Sequence, residues 1–187
     1  MILIDLQKAF DTIEHKLLLK KMNYIGYAES TINWFKSYLA DRTFVVEVNG
    51  ELSKPGNLNC GVPQGSILGP LLFLLYVNDM PQSVSCDLLL YADDSCLVYS
   101  DKEFDNIETK LNDNFNSLCD WFVDNKLSIH FGEDKTKSIL FGTNKKLKGL
   151  RDLDIKHGNG QMHKCLVRVT LKKMITDNFA LLHTDSR

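Results

Sequence analysis

The hydrophobic pattern changes period several times along the chain, and each change marks an element. "MILID" is a short apolar run closed by an acid, the expected end of a buried strand. From Thr12, "TIEHKLLLKKMNYIGY" sets Leu17, Leu18, Met22 and Ile25 at helical spacing and breaks at Gly26. A second helix is predicted over "ESTINWFKSYLADR", with Ile32, Phe35 and Leu39 on one face. "TFVVEVNGELSKPGNL" then shifts to period two at Phe44, Val46 and Val48, and Asn49-Gly50 is a strong hairpin signal. An apolar helix is predicted over Ile67 to Asp79. "CDLLLY" and "CLVYS" read as two short strands flanking Ala92-Asp93-Asp94. Ser100 to Glu103, "SDKE", is a capping box. The helix it opens repeats Phe104, Ile107, Leu111, Phe115, Leu118 and Phe122 in steps of three and four. "KLSIHF" and "KTKSILFG" follow as strands or a bent extended segment.

Up to Gly142 the order is strand, helical region, hairpin, helix, strand. That is an α+β class with a βαββαβ-like layer pattern, in which helices cover one face of an antiparallel sheet. Beyond it, "KKLKGLRDLDIKHGNGQMHK" is basic and turn-rich, and "LVRVTLKKMITDNFALL" fits strand, helix or neither. No internal repeat is present. With 187 residues, 44% of them hydrophobic, the chain can bury the core of one domain.

Charge adds little to this picture. The net charge of -2 neither requires nor excludes a nucleic-acid partner. Residues 1–133 carry 10 Lys and Arg against 19 Asp and Glu, and residues 134–187 carry 12 against 5. A partner-binding tail and a solvated surface segment both produce such an asymmetry. The five cysteines are odd in number and lack a CxxC pair, so reduced thiols, no disulfides and an intracellular setting are expected. No apolar stretch is long enough for a membrane span. The opening lacks a basic start and a cleavage site, so no signal peptide is expected. It begins inside a strand pattern, which suggests a fragment.

The chemistry lies in the acids. Asp93 and Asp94 sit between two apolar runs, where an unpaired buried carboxylate costs several kcal/mol. In a sheet of this order the end of the first strand lies beside the central hairpin tip, bringing Asp5 toward the pair. Carboxylates that close stay ionised together only when a cation neutralises them. Mg²⁺ suits hard oxygen ligands combined with phosphates, and two such ions about 3.5–4 Å apart form the clamp for in-line phosphoryl transfer. Plain turn chemistry also accounts for an acidic pair at a turn. His157, His163 and Cys165 are irregularly spaced and lack a fourth ligand, so no zinc site is expected.

"DLQKAFDTIEH", "GVPQGSILGPLLFLLYVNDMP", "YADD" and "NKLSIHFGEDKTKSILFG" occur in that order. Together they resemble the palm of reverse transcriptases encoded by non-LTR (LINE-type) retrotransposons, over residues 1–143. The resemblance implies RNA-directed DNA polymerase activity by two-metal nucleotidyl transfer. Its partners would be an RNA template, a DNA primer and deoxynucleotides, and its cofactors two Mg²⁺ ions, with Mn²⁺ as a substitute.

By the same resemblance, Asp5 and Asp93 are catalytic metal ligands and Asp94 assists or completes the site. Phe10 matches a bulky gate residue beneath the incoming sugar, where a large ring collides with a 2′-hydroxyl. Gln64 and Gly65 match nucleotide-binding positions, Lys135 a lysine near the triphosphate, and Gly61, Pro63 and Ser66 the loop that positions template and primer. Each has a plainer reading: Phe10 as a core aromatic, the loop as a turn N-capped by Ser66, Lys135 as a solvated surface lysine. Asp11, Glu14 and His15 are assigned structural roles.

The chain departs from the family pattern at both ends. Too little precedes Asp5 for a fingers region, and residues 144–187 form a divergent basic tail without a primer-grip or thumb match. The expectation is therefore a partial palm that polymerises poorly alone. The alternative is an inactive remnant, at most a nucleic-acid-binding module.

Overall fold

The computed structural model describes residues 1–131, 135–157, 160–161 and 167–170, the last few only in their backbone. In chain order the elements are β1 (Ile2–Ile4), α1 (His15–Ile25), α2 (Glu29–Leu39), β2 (Thr43–Phe44), β3 (Glu47–Val48), β4 (Glu51–Leu52) and β5 (Gly56–Asn57). There follow α3 (Leu68–Val77), β6 (Asp87–Tyr91), β7 (Asp94–Val98), α4 (Phe104–Asp124), β8 (Lys137–Gly142), α5 (Asn144–Leu147), β9 (Lys156–His157), β10 (Gly160–Gln161) and β11 (Val167–Thr170). The chain divides into two compact units. One holds the described residues within Met1–Asp5, Val84–Cys119 and Ile129–Arg187, and the other holds Leu6–Ser83 and Asp120–Ser128.

The first unit is organised by a five-stranded sheet of order β11-β8-β1-β7-β6. It is antiparallel from β8 to β6, and β11 runs parallel to β8. Alternate side chains of a strand point to opposite faces. On β1 and β7 the buried set is Ile2, Ile4, Ser95 and Leu97, paired as Ile2 with Leu97 and Ile4 with Ser95. Leu3 and Cys96, the pair between them, project to the other face.

The predicted helical stripe is real: Leu111, Phe115 and Leu118 on α4 are wholly buried. Each contributes about 1.5–3 kcal/mol over an exposed position. The helix start differs from the capping-box expectation. It begins at Phe104, and the side chain beneath it belongs to Asp101, whose Oδ1 accepts from Glu103 N at 2.8 Å. That hydrogen bond holds the Asp101 carboxyl below its usual range. This bond is an Asx turn just ahead of α4, and the charged carboxylate is a stronger acceptor for Glu103 N than the Ser100 hydroxyl. In the same unit Asn114 Oδ1 accepts from Ser85 N at 2.6 Å and Cys86 N at 3.1 Å, anchoring the entry to β6.

In the second unit α1 opens on Glu14, whose Oε2 accepts from Leu17 N at 2.7 Å, and closes on Gly26 at φ +100°. That conformation suits glycine. The Asn49-Gly50 turn forms as predicted, but the ladder splits into two short pairs, β2 with β5 and β3 with β4. Phe44, Val46 and Val48 remain exposed, so their alternation reflects pleating without a buried face. Helix α3 is apolar all round and buries Leu72, Phe73, Tyr76 and Val77. Tyr76 Oη donates to Asn125 O at 2.6 Å, satisfying its one polar atom. Among the described residues no helix is long and apolar enough to cross a membrane. Among the described residues Cys60, Cys86, Cys96 and Cys119 form no disulfide.

Candidate active site

The hairpin β6–β7 pairs Tyr91 with Asp94 as its last rung, leaving Ala92 and Asp93 as a two-residue turn. Such turns need a positive φ at the first loop position. Ala92 supplies it at φ +52°, a conformation that costs a residue with a Cβ about 1–2 kcal/mol. Strain of this kind concentrates at functional sites. Asp93 is half-buried at the tip, and Asp94 is exposed. Neither has an ion-pair or hydrogen-bond partner among the described residues.

Asp5 follows the last residue of β1. The β1–β7 register pairs Ile4 with Ser95, and one further step sets Asp5 opposite Asp94. Directly opposed residues have Cβ atoms about 4.5–5.5 Å apart. The β1–β8 register pairs Leu3 with Lys137, and two further steps set Asp5 opposite Lys135. In agreement, Lys135 Nζ lies 3.5 Å from Asp5 Oδ2. His130 Nδ1 lies 3.1 Å from the same oxygen. Asp5 N donates to Thr136 Oγ1 at 3.2 Å. Asp5, Asp94, Lys135, Lys137, Leu89 and Tyr91 line one groove of about 410 Å³ on the sheet face away from the core. Asp93 is not among its lining residues. The lining thus combines two carboxylates with two lysines, of which Lys135 approaches Asp5, and Tyr91 is 83% exposed.

The remaining predicted residues belong to the second unit. Gly61 adopts φ +84°, and its N donates to Ile13 O at 2.7 Å. A Cβ there would stand 2.7 Å from Asp11 O, so only glycine fits. His15 Nε2 meets Gly61 O at 2.7 Å, which gives that histidine the structural role expected of it. Val62 N donates to Phe10 O at 2.8 Å, tying the loop to the stretch that carries the gate candidate. Phe10 is half-buried with its ring 4.7 Å from that of Phe73, and this contact fits a core aromatic as well as a gate. Gln64 Nε2 donates to Asp11 Oδ1 at 2.7 Å. Ser66 Oγ donates to Pro63 O at 2.7 Å and accepts from Gly69 N at 3.0 Å, closing the turn ahead of α3. Gly65, at φ +76°, has open space around it.

The donor chemistry suits a hard divalent cation: Asp5 and Asp94 are opposed carboxylates, and Asp93 is their neighbour in the turn. Convergence is incomplete, because among the described residues no three His, Cys, Asp or Glu groups are placed to hold one ion. His163 and Cys165, and the side chain of His157, lie outside the described residues. Inspection of the chain alone passes over His130 and Thr136, the two residues that hold Asp5 together with Lys135. A lone histidine in "LSIHF" carries no local signal, and its partner is 125 positions away.

Residues 1–169 match the family "Reverse transcriptase (RNA-dependent DNA polymerase)". The chain is 34% identical over 128 residues to the "Probable RNA-directed DNA polymerase from transposon BS" of Drosophila melanogaster, covering 64% of this chain and 14% of that protein. It is 32% identical over 146 residues to the "Probable RNA-directed DNA polymerase from transposon X-element", and equally to the "RNA-directed DNA polymerase from mobile element jockey", both of that species. These alignments cover 74% of this chain and 15% and 16% of those proteins. The chain thus spans about one-seventh of the length of these relatives.

Proposed function

The chain belongs to the reverse transcriptase (RNA-dependent DNA polymerase) family, and on that premise we propose that it carries the palm of an RNA-directed DNA polymerase. Strand order supports a ferredoxin-like βαββαβ topology for this palm. Taking β1, β6, β7 and β8 as its four strands, the sheet runs fourth, first, third, second, with α4 connecting the third to the fourth. The observation that carries the reading is the register that opposes Asp5 to Asp94 beside the Asp93 turn, on an open sheet face.

In this reading Asp5 and Asp93 are the principal metal ligands, and Asp94 completes the set. Two divalent ions held there, Mg²⁺ or Mn²⁺, would supply the charge that activates a primer 3′-hydroxyl and neutralises departing pyrophosphate. Lys135 presents its ammonium group from the same groove and stabilises phosphate charge. Phe10 excludes a sugar bearing a 2′-hydroxyl, the group that distinguishes ribonucleotides from deoxynucleotides. Gln64 exchanges its bond to Asp11 for one to the incoming nucleotide, and Gly65 lets that ligand approach the backbone. Gly61, Pro63 and Ser66 hold the loop that positions an RNA template and a DNA primer.

A second reading, an inert remnant that binds nucleic acid at most, draws on the incomplete convergence of the carboxylates. RNA-templated primer extension with deoxynucleotides and Mg²⁺ separates the two, comparing the chain with Asp93→Ala. Product from the parent chain and none from the variant supports the polymerase. Equal product from both defeats the assignment of Asp93. No product from either, with RNA still shifted in a gel, establishes the second reading.

A further inference from the structure

Asp5 is gripped unevenly. Two side chains near it, His130 with Nδ1 at 3.1 Å and Lys135 with Nζ at 3.5 Å, converge on Oδ2. Oδ1 has no hydrogen-bond or ion-pair partner among the described residues. The backbone reinforces this asymmetry. His130 N donates to Asp5 O at 2.8 Å, so one residue grips both the main chain and the side chain of Asp5. Thr136 N donates to His130 O at 3.2 Å, and Thr136 Oγ1 accepts from Asp5 N at 3.2 Å. These four hydrogen bonds link Asp5, His130 and Thr136 in a closed ring.

A carboxylate only accepts, so Nδ1 of His130 carries the proton and donates. A hydrogen bond to a charged acceptor is about twice as strong as a neutral one. The pair is open to solvent on one side, with the two side chains 38% and 30% exposed. A role in core packing therefore explains little of it.

We infer that His130 is the positioning residue for Asp5: its Nδ1–H fixes Oδ2 and leaves Oδ1 as the oxygen presented to a divalent cation. The inference rests on the polymerase reading, in which Asp5 is a metal ligand. Partners that orient a ligand in this way are worth about 10–100-fold in metal affinity. Only the donor at the Nδ1 position matters. An asparagine amide nitrogen falls near the place of Nδ1, whereas a glutamine amide reaches the place of Nε2.

The test is Mn²⁺ binding to the full chain, followed by loss of the free-ion electron paramagnetic resonance signal. The proteins compared are the parent, Asp5→Asn, His130→Ala, His130→Gln and His130→Asn, each with its thermal midpoint. Alanine and glutamine should weaken binding about tenfold or more, while asparagine stays within about threefold of the parent. All three position-130 variants should melt within a few degrees of one another, because the backbone bond from residue 130 survives in each. Binding unchanged in His130→Ala, or His130→Asn as weak as His130→Ala, overturns the inference and leaves the polymerase reading intact. No Mn²⁺ binding by the parent, or full binding by Asp5→Asn, overturns the metal-ligand role of Asp5 and the inference with it.

Discussion

Replacing Gly61 by alanine tests whether the loop before α3 is set by close backbone contact or only by conformational freedom. Two penalties act at this position. The first is conformational: φ +84° costs a residue with a Cβ about 1–2 kcal/mol. The second is steric, since the new Cβ would lie 2.7 Å from Asp11 O and 2.9 Å from both Asp11 C and Cα. These are backbone atoms, and Asp11 N is itself bonded to Lys8 O at 2.8 Å, so they cannot swing aside like a flexible side chain. Overpacking of this sort costs about 1–3 kcal/mol more. Retreat of the loop would also stretch the 2.7 Å bonds from Gly61 N to Ile13 O and from His15 to Gly61 O.

Gly65 is the internal control, with φ +76° and nothing within 4 Å of a new Cβ. Gly61→Ala should therefore lose about 2–5 kcal/mol and Gly65→Ala about 1–2 kcal/mol. Urea denaturation followed by circular dichroism reads the difference. With a slope of about 2 kcal/mol per molar, the midpoint falls by about 1–2.5 M for Gly61→Ala and about 0.5–1 M for Gly65→Ala. Equal shifts in the two variants would refute the close-approach argument and leave only backbone conformation.

Asn114→Ala strips Ser85 N and Cys86 N of their acceptor, which costs about 2–3 kcal/mol. A differential scan should place its melting temperature about 5–10 °C lower. Burial pushes the Tyr76 hydroxyl up to about 12, from an ordinary value of 10.0. The folded state thus keeps a proton that the unfolded chain releases first. Stability from this group is full below pH 10 and is lost as pH rises through about 12. Stability measured across that window should fall less steeply in Tyr76→Phe than in the parent. Phe10→Ala in a polymerising form of the chain should raise incorporation of ribonucleotides relative to deoxynucleotides, read by primer extension with each. An unchanged ratio returns Phe10 to the core role that its contact with Phe73 already supports.

Elements governed by a local period are legible in the sequence. The steps of three and four from Phe104 to Phe122 place α4, and Gly26 ends α1 because its αL conformation suits glycine. Asn49-Gly50 and Ala92-Asp93 mark their turns for the same kind of reason, since φ, ψ and side-chain periodicity are properties of a few consecutive residues. The acidic motif at residues 93 and 94, with Asp5 closing a strand pattern, is legible in this way too. What lay out of reach depends on which strand pairs with which and in what register. His130 and Thr136 meet Asp5 across 125 and 131 positions. Gln64 turns to Asp11 across 53, and Asn114 caps the entry to β6 across 28 and 29. Periodicity carries no record of such partners, because a hydrogen bond between distant segments leaves no constraint on the residues between them. The capping-box error at Ser100 has a local origin, a choice between two neighbouring acceptors decided by the full charge of Asp101. The acids thus declare themselves in the chain's own order of residues, and the groups that bond to one of them come together only when the sheet assembles.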